Sequence, residues 1–303
     1  MRFAAITFCH STDADKGAAA GPHALLKAGL TRCLGEGGHE IVGPLHVELS
    51  PEKEAAYGSW NKIGFANARL AQLILDATKA QAFPILFESN CYAAIGALAG
   101  LLKSGVTAPR LGMVWIDAHG DCNTPEITLS GMLSGMPVAI ATGQCLHRLR
   151  KNAGLEPPLQ PHNVLMVCVR ANDPLEQELI DQCGMPQVPV SDVRSDRRLL
   201  CAAMDHLSDS VDAIYVHFDI DALDRSELAL MRLTEPNGPT RDEMARALEL
   251  VMAYSKVAAF GVSDFNPERD VEGQAFRAIL AVFRGAIAGL ASRTRRSLGI
   301  EKH

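Results

Sequence analysis

Trp115-Ile116-Asp117-Ala118-His119-Gly120-Asp121 and His217-Phe218-Asp219-Ile220-Asp221 decide how this chain folds. Each stretch begins with an apolar run of the kind that forms a parallel strand buried on both faces. Each then sets carboxylates or an imidazole at every second position. Side chains two apart on extended backbone share a face. Asp117, His119 and Asp121 are therefore expected to converge on one point, and Asp219 with Asp221 on another. Carboxylates in this number are too costly to bury unless a cation sits among them. A metal site follows, and so many groups able to bridge favour two ions over one.

Working outward, the same kind of apolar, β-leaning run recurs at 2–9, 40–48, 83–87, 111–117, 163–169, 187–190, 213–219 and 257–263. Between these runs lie amphipathic stretches of helical length at 22–35, 57–79, 92–103, 174–183, 195–208, 241–255 and 273–292. Short strands separated by helices argue for an α/β fold, a parallel sheet flanked by helices on both faces. Open parallel sheets bind ligands beyond the carboxyl ends of their strands. Both acidic clusters fall at such ends.

Composition narrows the function class. A chain of 303 residues, 48% apolar, suits one large domain spanning 1–303. The net charge of −6 and only 5% aromatic residues give no footprint for nucleic acid or an anionic membrane. Eight cysteines are scattered, with no CxxC pair, as in a reduced cytoplasmic protein. The run 3–9 reads as a first strand rather than a secretory signal. The apolar stretch 275–291 is broken by Arg277 and Arg284, so no membrane span is expected. Trp60 and Trp115 are expected in the core, with Cys122 facing away from the acidic cluster.

Longer motifs surround the clusters, and with them the chain resembles the ureohydrolases, the arginase/agmatinase family. Asp117-Ala-His119-Gly-Asp121-Cys-Asn123-Thr-Pro125-Glu126 is similar to that family's DAHxDxNTPE signature. His217-Phe-Asp219-Ile-Asp221-Ala-Leu-Asp224 is similar to SxDxDxxDP, and Gly261-Val-Ser-Asp264-Phe-Asn266-Pro267 to a late strand-end motif. Lys16 to Leu30 resembles the family's glycine-rich loop and first helix. The resemblance runs from the first strand to Asp270 and implies the three-layer arginase fold.

One motif departs. Relatives carry P-x-x-x-G-G-D-H-S-x-x-x-G, whereas this chain has Pro84-Ile-Leu-Phe-Glu88-Ser89-Asn90-Cys91-Tyr92-Ala-Ala-Ile-Gly96. Cys91 thus stands where the family has a metal-binding His. A thiolate is itself a competent ligand.

The resemblance implies two Mn²⁺ ions bridged by Asp117 and Asp219. His119 and Asp221 would complete one site, Cys91 and Asp121 the other. It implies hydrolysis of a linear C–N bond in a small guanidino compound by a shared hydroxide. Asp121, Asp264 and Ser134 are the catalytic candidates, Asp264 being one methylene shorter than the family's usual Glu. Ser134 replaces a His proposed to protonate the leaving amine, and Met132 replaces an Asn that contacts the substrate carboxylate. Asn123 and Ser130 match positions that bind an α-carboxylate, and Asp173 one that binds an α-amino group. A Cys in place of the His, with the shorter Asp264, resembles the branch that hydrolyses Nω-hydroxy-L-arginine to hydroxyurea and L-ornithine. L-arginine, agmatine, guanidino acids and formimino amino acids stay open as substrates. A mononuclear amidohydrolase and a catalytically degenerate scaffold stay open as rival classes, as do monomer and homo-oligomer.

Overall fold

A computed structural model describes residues 1–11, 16–105, 110–228 and 231–297 of the chain. Eight strands form one sheet: β1 Arg2–Phe8, β2 Glu40–His46, β3 Phe83–Glu88, β4 Leu111–Ile116, β5 Val164–Val167, β6 Gln187–Val188, β7 Ala213–Asp219 and β8 Val257–Ser263. Their order across the sheet is β2-β1-β3-β8-β7-β4-β5-β6, and every pairing is parallel. All eight expected runs are strands, in the expected α/β architecture.

Alternation explains why the runs are continuously apolar. In β4, Met113 and Trp115 enter one apolar cluster, and Val114 and Ile116 enter another on the opposite face. The first cluster is covered by helices Ser59–Lys79, Ala93–Ser104 and His147–Ala153. The second is covered by Arg198–Ser210, Arg241–Met252 and Gln274–Ser297. A strand covered on both sides has no polar face to show.

Helix boundaries differ from expectation where single residues turn the chain. The stretch 22–35 splits into Gly21–Lys27 and Arg32–Glu36, because Gly29 adopts φ +90°. The stretch 195–208 begins only at Arg198, after Arg197 at φ +58° ends the preceding turn at Val190–Arg194. Helices Pro137–Ala141 and His147–Ala153 are too short to show a period in sequence. Trp60, expected in the core, is 37% exposed at the start of its helix, whereas Trp115 is fully buried. Cys122 does turn away from the acidic cluster, into the first apolar core.

The stretch from Gln274 to Arg293 is long and apolar enough, by length and composition, to cross a membrane. Its apolar side instead packs inside the protein: Ala275, Ile279, Val282, Phe283, Ala286 and Leu290 are all fully buried. The rings of Phe87 and Phe260 from the sheet lie 6.2 Å from that of Phe283.

The central register positions the site. Ile116 lies opposite Phe218, Asp219 opposite Ser263, and Phe87 opposite Val262. The carboxyl ends of β3, β8, β7 and β4 therefore finish side by side, and whatever follows each strand meets at one place. Emptying this helix–sheet contact weakens the frame without touching the site. Phe283→Ala lowers unfolding stability by about 3–5 kcal/mol, read as a lower urea midpoint, while divalent-metal affinity stays unchanged.

Candidate metal centre

Four strand ends open into a cleft of about 320 Å³. Beyond β4 the backbone folds around its own carboxylates. The His119 N–H donates to Asp117 Oδ1 at 2.7 Å, and the Ala118 N–H donates to Asp221 Oδ1 at 3.2 Å. The indole of Trp115 donates to the His119 carbonyl at 3.3 Å, tying the turn back to the strand. Beyond β7, the Asp221 N–H donates to Asp219 Oδ1 at 2.9 Å. Two site carboxylates sit on left-handed backbone, Asp121 at φ +46° and Asp264 at φ +64°. Such conformations cost about 1–3 kcal/mol each and persist where their surroundings over-determine them.

The donors fall into two overlapping groups. Asp117, His119 and Asp221 form one, with His119 Nδ1 3.4 Å from Asp117 Oδ1 and 3.1 Å from Asp221 Oδ2. Cys91, Asp117, His217 and Asp219 form the other, their donor atoms all within 4.8 Å of one another. The Cys91 sulfur lies 2.9 Å from Asp219 Oδ2 and 3.0 Å from Asp264 Oδ2, with one S–H to donate between them. The grouping by strand is thus corrected, whereas the grouping implied by the resemblance agrees in setting Asp221 with Asp117 and His119 and in sharing Asp117 between both groups. Asp121, rotated by its positive φ, lines the cleft outside both. Asp264 lines the cleft as well.

The remaining expected residues line the same cleft at greater distance from its floor. Asn123 donates to Asp173 Oδ2 at 3.4 Å, and Asp173 caps helix Pro174–Gln182. Ser130 is exposed at the rim, with Met132 and Ser134 behind it. Arg232, from the loop after 230, also lines the opening.

Sequence reading missed several members. His217 lies two residues before Asp219 on the same face of β7, which was the available signal. Glu176 accepts the Cys122 N–H at 2.8 Å and so steadies the link between Asp121 and Asn123. Ser263 donates to Asp219 Oδ2 at 3.0 Å. Only the register of β8 against β7 brings Ser263 there.

Electrostatics shows what the donors need. Burial, then the charges of Asp221, Asp121 and Asp219, push the Asp117 carboxyl well above the usual range. Burial and then Asp219 do the same to Asp264, while burial and Asp221 raise Asp219. Burial, followed by Asp219 and Asp264, raises the Cys91 thiol well above an ordinary thiol. Burial resists protonation of His119, but hydrogen bonds to Asp117 and Asp221 overcome it and push the imidazole up to about 12. Burial would also raise Asp221, but bonding to His119 wins and lowers it. Among the described residues five buried carboxylates crowd around His119, an excess of acidic groups that divalent ions would balance. The oxygen-rich set around His119 suits Mn²⁺ or a similar ion.

Comparison with known proteins reaches the same place. Residues 1–288 match the family described as "Arginase family". The chain belongs to the arginase family. It is accordingly a metal-dependent hydrolase, of a family that acts on small guanidino compounds at a binuclear metal centre. The arginase of Bacillus subtilis (strain 168) is 27% identical over 264 residues, 85% of this chain and 87% of the relative. That of Brucella melitensis biotype 1 is 29% identical over 273 residues, 86% and 87% of the two chains. Among solved structures, Bacillus caldovelox arginase aligns with a TM-score of 0.82 at 25% identity, covering 95% of this chain and 99% of that one. The formimidoylglutamase of Bacillus subtilis shares the fold, with a TM-score of 0.71 at 14% identity over 96% and 88% of the chains.

A ligand that binds only the folded state stabilises it by about 4 kcal/mol at a thousandfold excess over its Kd. Mn²⁺ added to the chelator-treated arginase-family chain raises its melting temperature, and chelator reverses the rise. Asp117→Asn, which removes charge from both donor groups, abolishes most of the shift. An unmoved melting curve for the unmodified protein would contradict the assignment.

Proposed function

We propose that the chain hydrolyses Nω-hydroxy-L-arginine to hydroxyurea and L-ornithine, with two Mn²⁺ ions as cofactor. The observation that carries the reading is the contact of Cys91 with both Asp219 and Asp264, at 2.9 and 3.0 Å. It sets the thiol inside the donor cluster and brings Asp264 down beside it. When bound, the ions supply a hydroxide at neutral pH and polarise what it attacks.

The chain's own residues hold the substrate in line. Asp117, His119, Asp221, Cys91 and Asp219 are the ligands of this reading, with Asp121 reaching in from its strained turn. Asp264 faces the guanidino group and balances its positive charge. Being shorter than Glu, it leaves room for the added hydroxyl oxygen. Water oxygen bonds to the guanidino carbon, and the bond from that carbon to Nδ breaks. The proton goes to Nδ, which leaves as the side-chain amine of ornithine. Ser134 gives that amine a hydroxyl neighbour in place of an imidazole. Hydroxyguanidines are less basic than guanidines, so more of this substrate is neutral and electrophilic at a given pH.

The amino-acid end points toward the rim. Asn123 and Ser130 meet the α-carboxylate, and Asp173 meets the α-amino group. Arg232 offers the charge partner that Met132 does not supply.

A panel of Nω-hydroxy-L-arginine, L-arginine and agmatine, assayed with Mn²⁺ for hydroxyurea, urea and ornithine, tests the substrate. Hydroxyurea beside ornithine is expected, with kcat/KM for L-arginine at least about tenfold lower. Equal turnover of the two amino acids would contradict the proposal. Restoring the missing methylene in Asp264→Glu moves the preference toward L-arginine by about 10- to 200-fold. Arg232→Ala raises KM about tenfold with kcat nearly unchanged, the pattern of lost uniform binding.

A further inference from the structure

The family pattern carries an imidazole at the position of Cys91 and a serine at the position of His217. In this chain the two positions have in effect exchanged their donors. They meet in space, since the Cys91 sulfur and a ring nitrogen of His217 belong to one group with Asp117 and Asp219, all within 4.8 Å.

The ring of His217 is fixed on every side. It is fully buried and stacks on Trp115, centroids 4.0 Å apart and planes 13° from parallel. Its Nδ1 edge faces Glu88, with Nδ1 3.1 Å from Oε2. Oε2 is buried and has no hydrogen bond of good geometry among the described residues. The Tyr215 hydroxyl donates to the other oxygen, Glu88 Oε1, at 2.7 Å. This carboxylate stands where the family pattern has glycine, and Gly261 on β8 makes room for it. A Cβ at Gly261 would come within 2.7 Å of Glu88 Oε1. The opposite ring edge faces the donor cluster: Nε2 is 3.3 Å from Ser263 Oγ, which touches Asp219 Oδ2 at 3.0 Å and Cys91 Sγ at 3.3 Å.

A carboxylate on one imidazole nitrogen, with the other nitrogen aimed at sulfur and oxygen donors, is the arrangement that orients metal-binding histidines. We infer that His217 is a metal ligand beside Cys91, replacing the imidazole that relatives carry at position 91. We infer further that this half of the centre takes a softer divalent ion, of the Zn²⁺ or Co²⁺ kind. Glu88 Oε2 and the Tyr215 hydroxyl, 3.1 and 3.3 Å from Nδ1, occupy that edge of the ring and leave the Nε2 lone pair for the ion. One sulfur, one imidazole and carboxylate oxygens make a borderline-soft set. The set around His119 has no sulfur and keeps Mn²⁺. Cys91 thus does not merely weaken a manganese site; with His217 it changes what the site selects.

The inference rests on the binuclear reading above, and the test separates the two. Metal-stripped full-length protein is titrated with Co²⁺ alone. The unmodified protein should take up Co²⁺ with a sulfur-to-cobalt charge-transfer band in the near ultraviolet. His217→Ala should bind the sulfur-ligated ion at least about tenfold more weakly and alter its visible bands. Glu88→Gln should weaken it about 10- to 100-fold while keeping the charge-transfer band at saturation. His217→Ala with unchanged affinity and spectrum overturns the role of His217 and leaves the binuclear reading standing. Failure of the unmodified protein to bind either Co²⁺ or Mn²⁺ overturns both. If His217→Ala does not fold, zinc-edge X-ray absorption on unmodified protein with one Zn²⁺ per chain decides. One sulfur at about 2.3 Å together with imidazole scattering supports the assignment. Sulfur without imidazole overturns it.

Discussion

Negative charge held out of water is the constraint on which the rest of the structure depends. Asp117, Asp121, Asp219, Asp221 and Asp264 all face one cleft, with the imidazole of His119 seated among them. Protein dipoles meet part of the demand: the N–H groups of Ala118, His119 and Asp221 all point at carboxylate oxygens. The upward shifts of Asp117, Asp219 and Asp264 show that these dipoles do not suffice. Divalent ions would resolve the imbalance, turning a repulsive cluster into a coordinating one.

The fold makes the cluster by geometry alone. Parallel pairing brings the ends of β3, β8, β7 and β4 to one edge of the sheet, and two-sided burial makes those strands rigid. Donors then come from different strands rather than from one. Asp117 and His119 come from the turn after β4, Asp219 from the last position of β7 and Asp221 from the turn after it, Cys91 from the turn after β3, and Asp264 from just beyond β8. The left-handed backbone at Asp121 and Asp264 marks where the chain is bent to deliver carboxylates that straight strands would carry past the cleft.

That division also explains what the sequence could reveal. Strands were legible because burial on both faces leaves a continuous apolar run, as in Leu111–Ile116. The donors Asp117, His119, Asp219 and Asp221 were legible from their spacing of two, and Cys91 through its place in a family motif. The sorting of donors into groups was not legible from spacing alone, because it depends on how β7 sits beside β4; the family resemblance is what paired Asp221 with His119. His217 showed the right spacing, but its value as a donor emerges only with Glu88, which lies 129 positions away on β3. The breaks at Gly29 and Arg197 come from single backbone conformations that no periodicity announces. Trp60 lies at a helix start where solvent still reaches it.

The donors at the ends of β3, β8, β7 and β4 suit a pair of divalent ions. Metal content by mass spectrometry, after loading with Mn²⁺ and removal of free ion by gel filtration, tests this fit most directly. Close to two divalent ions per chain are expected, falling sharply in Asp219→Asn with the fold intact. A protein that emerges folded and free of metal would contradict it.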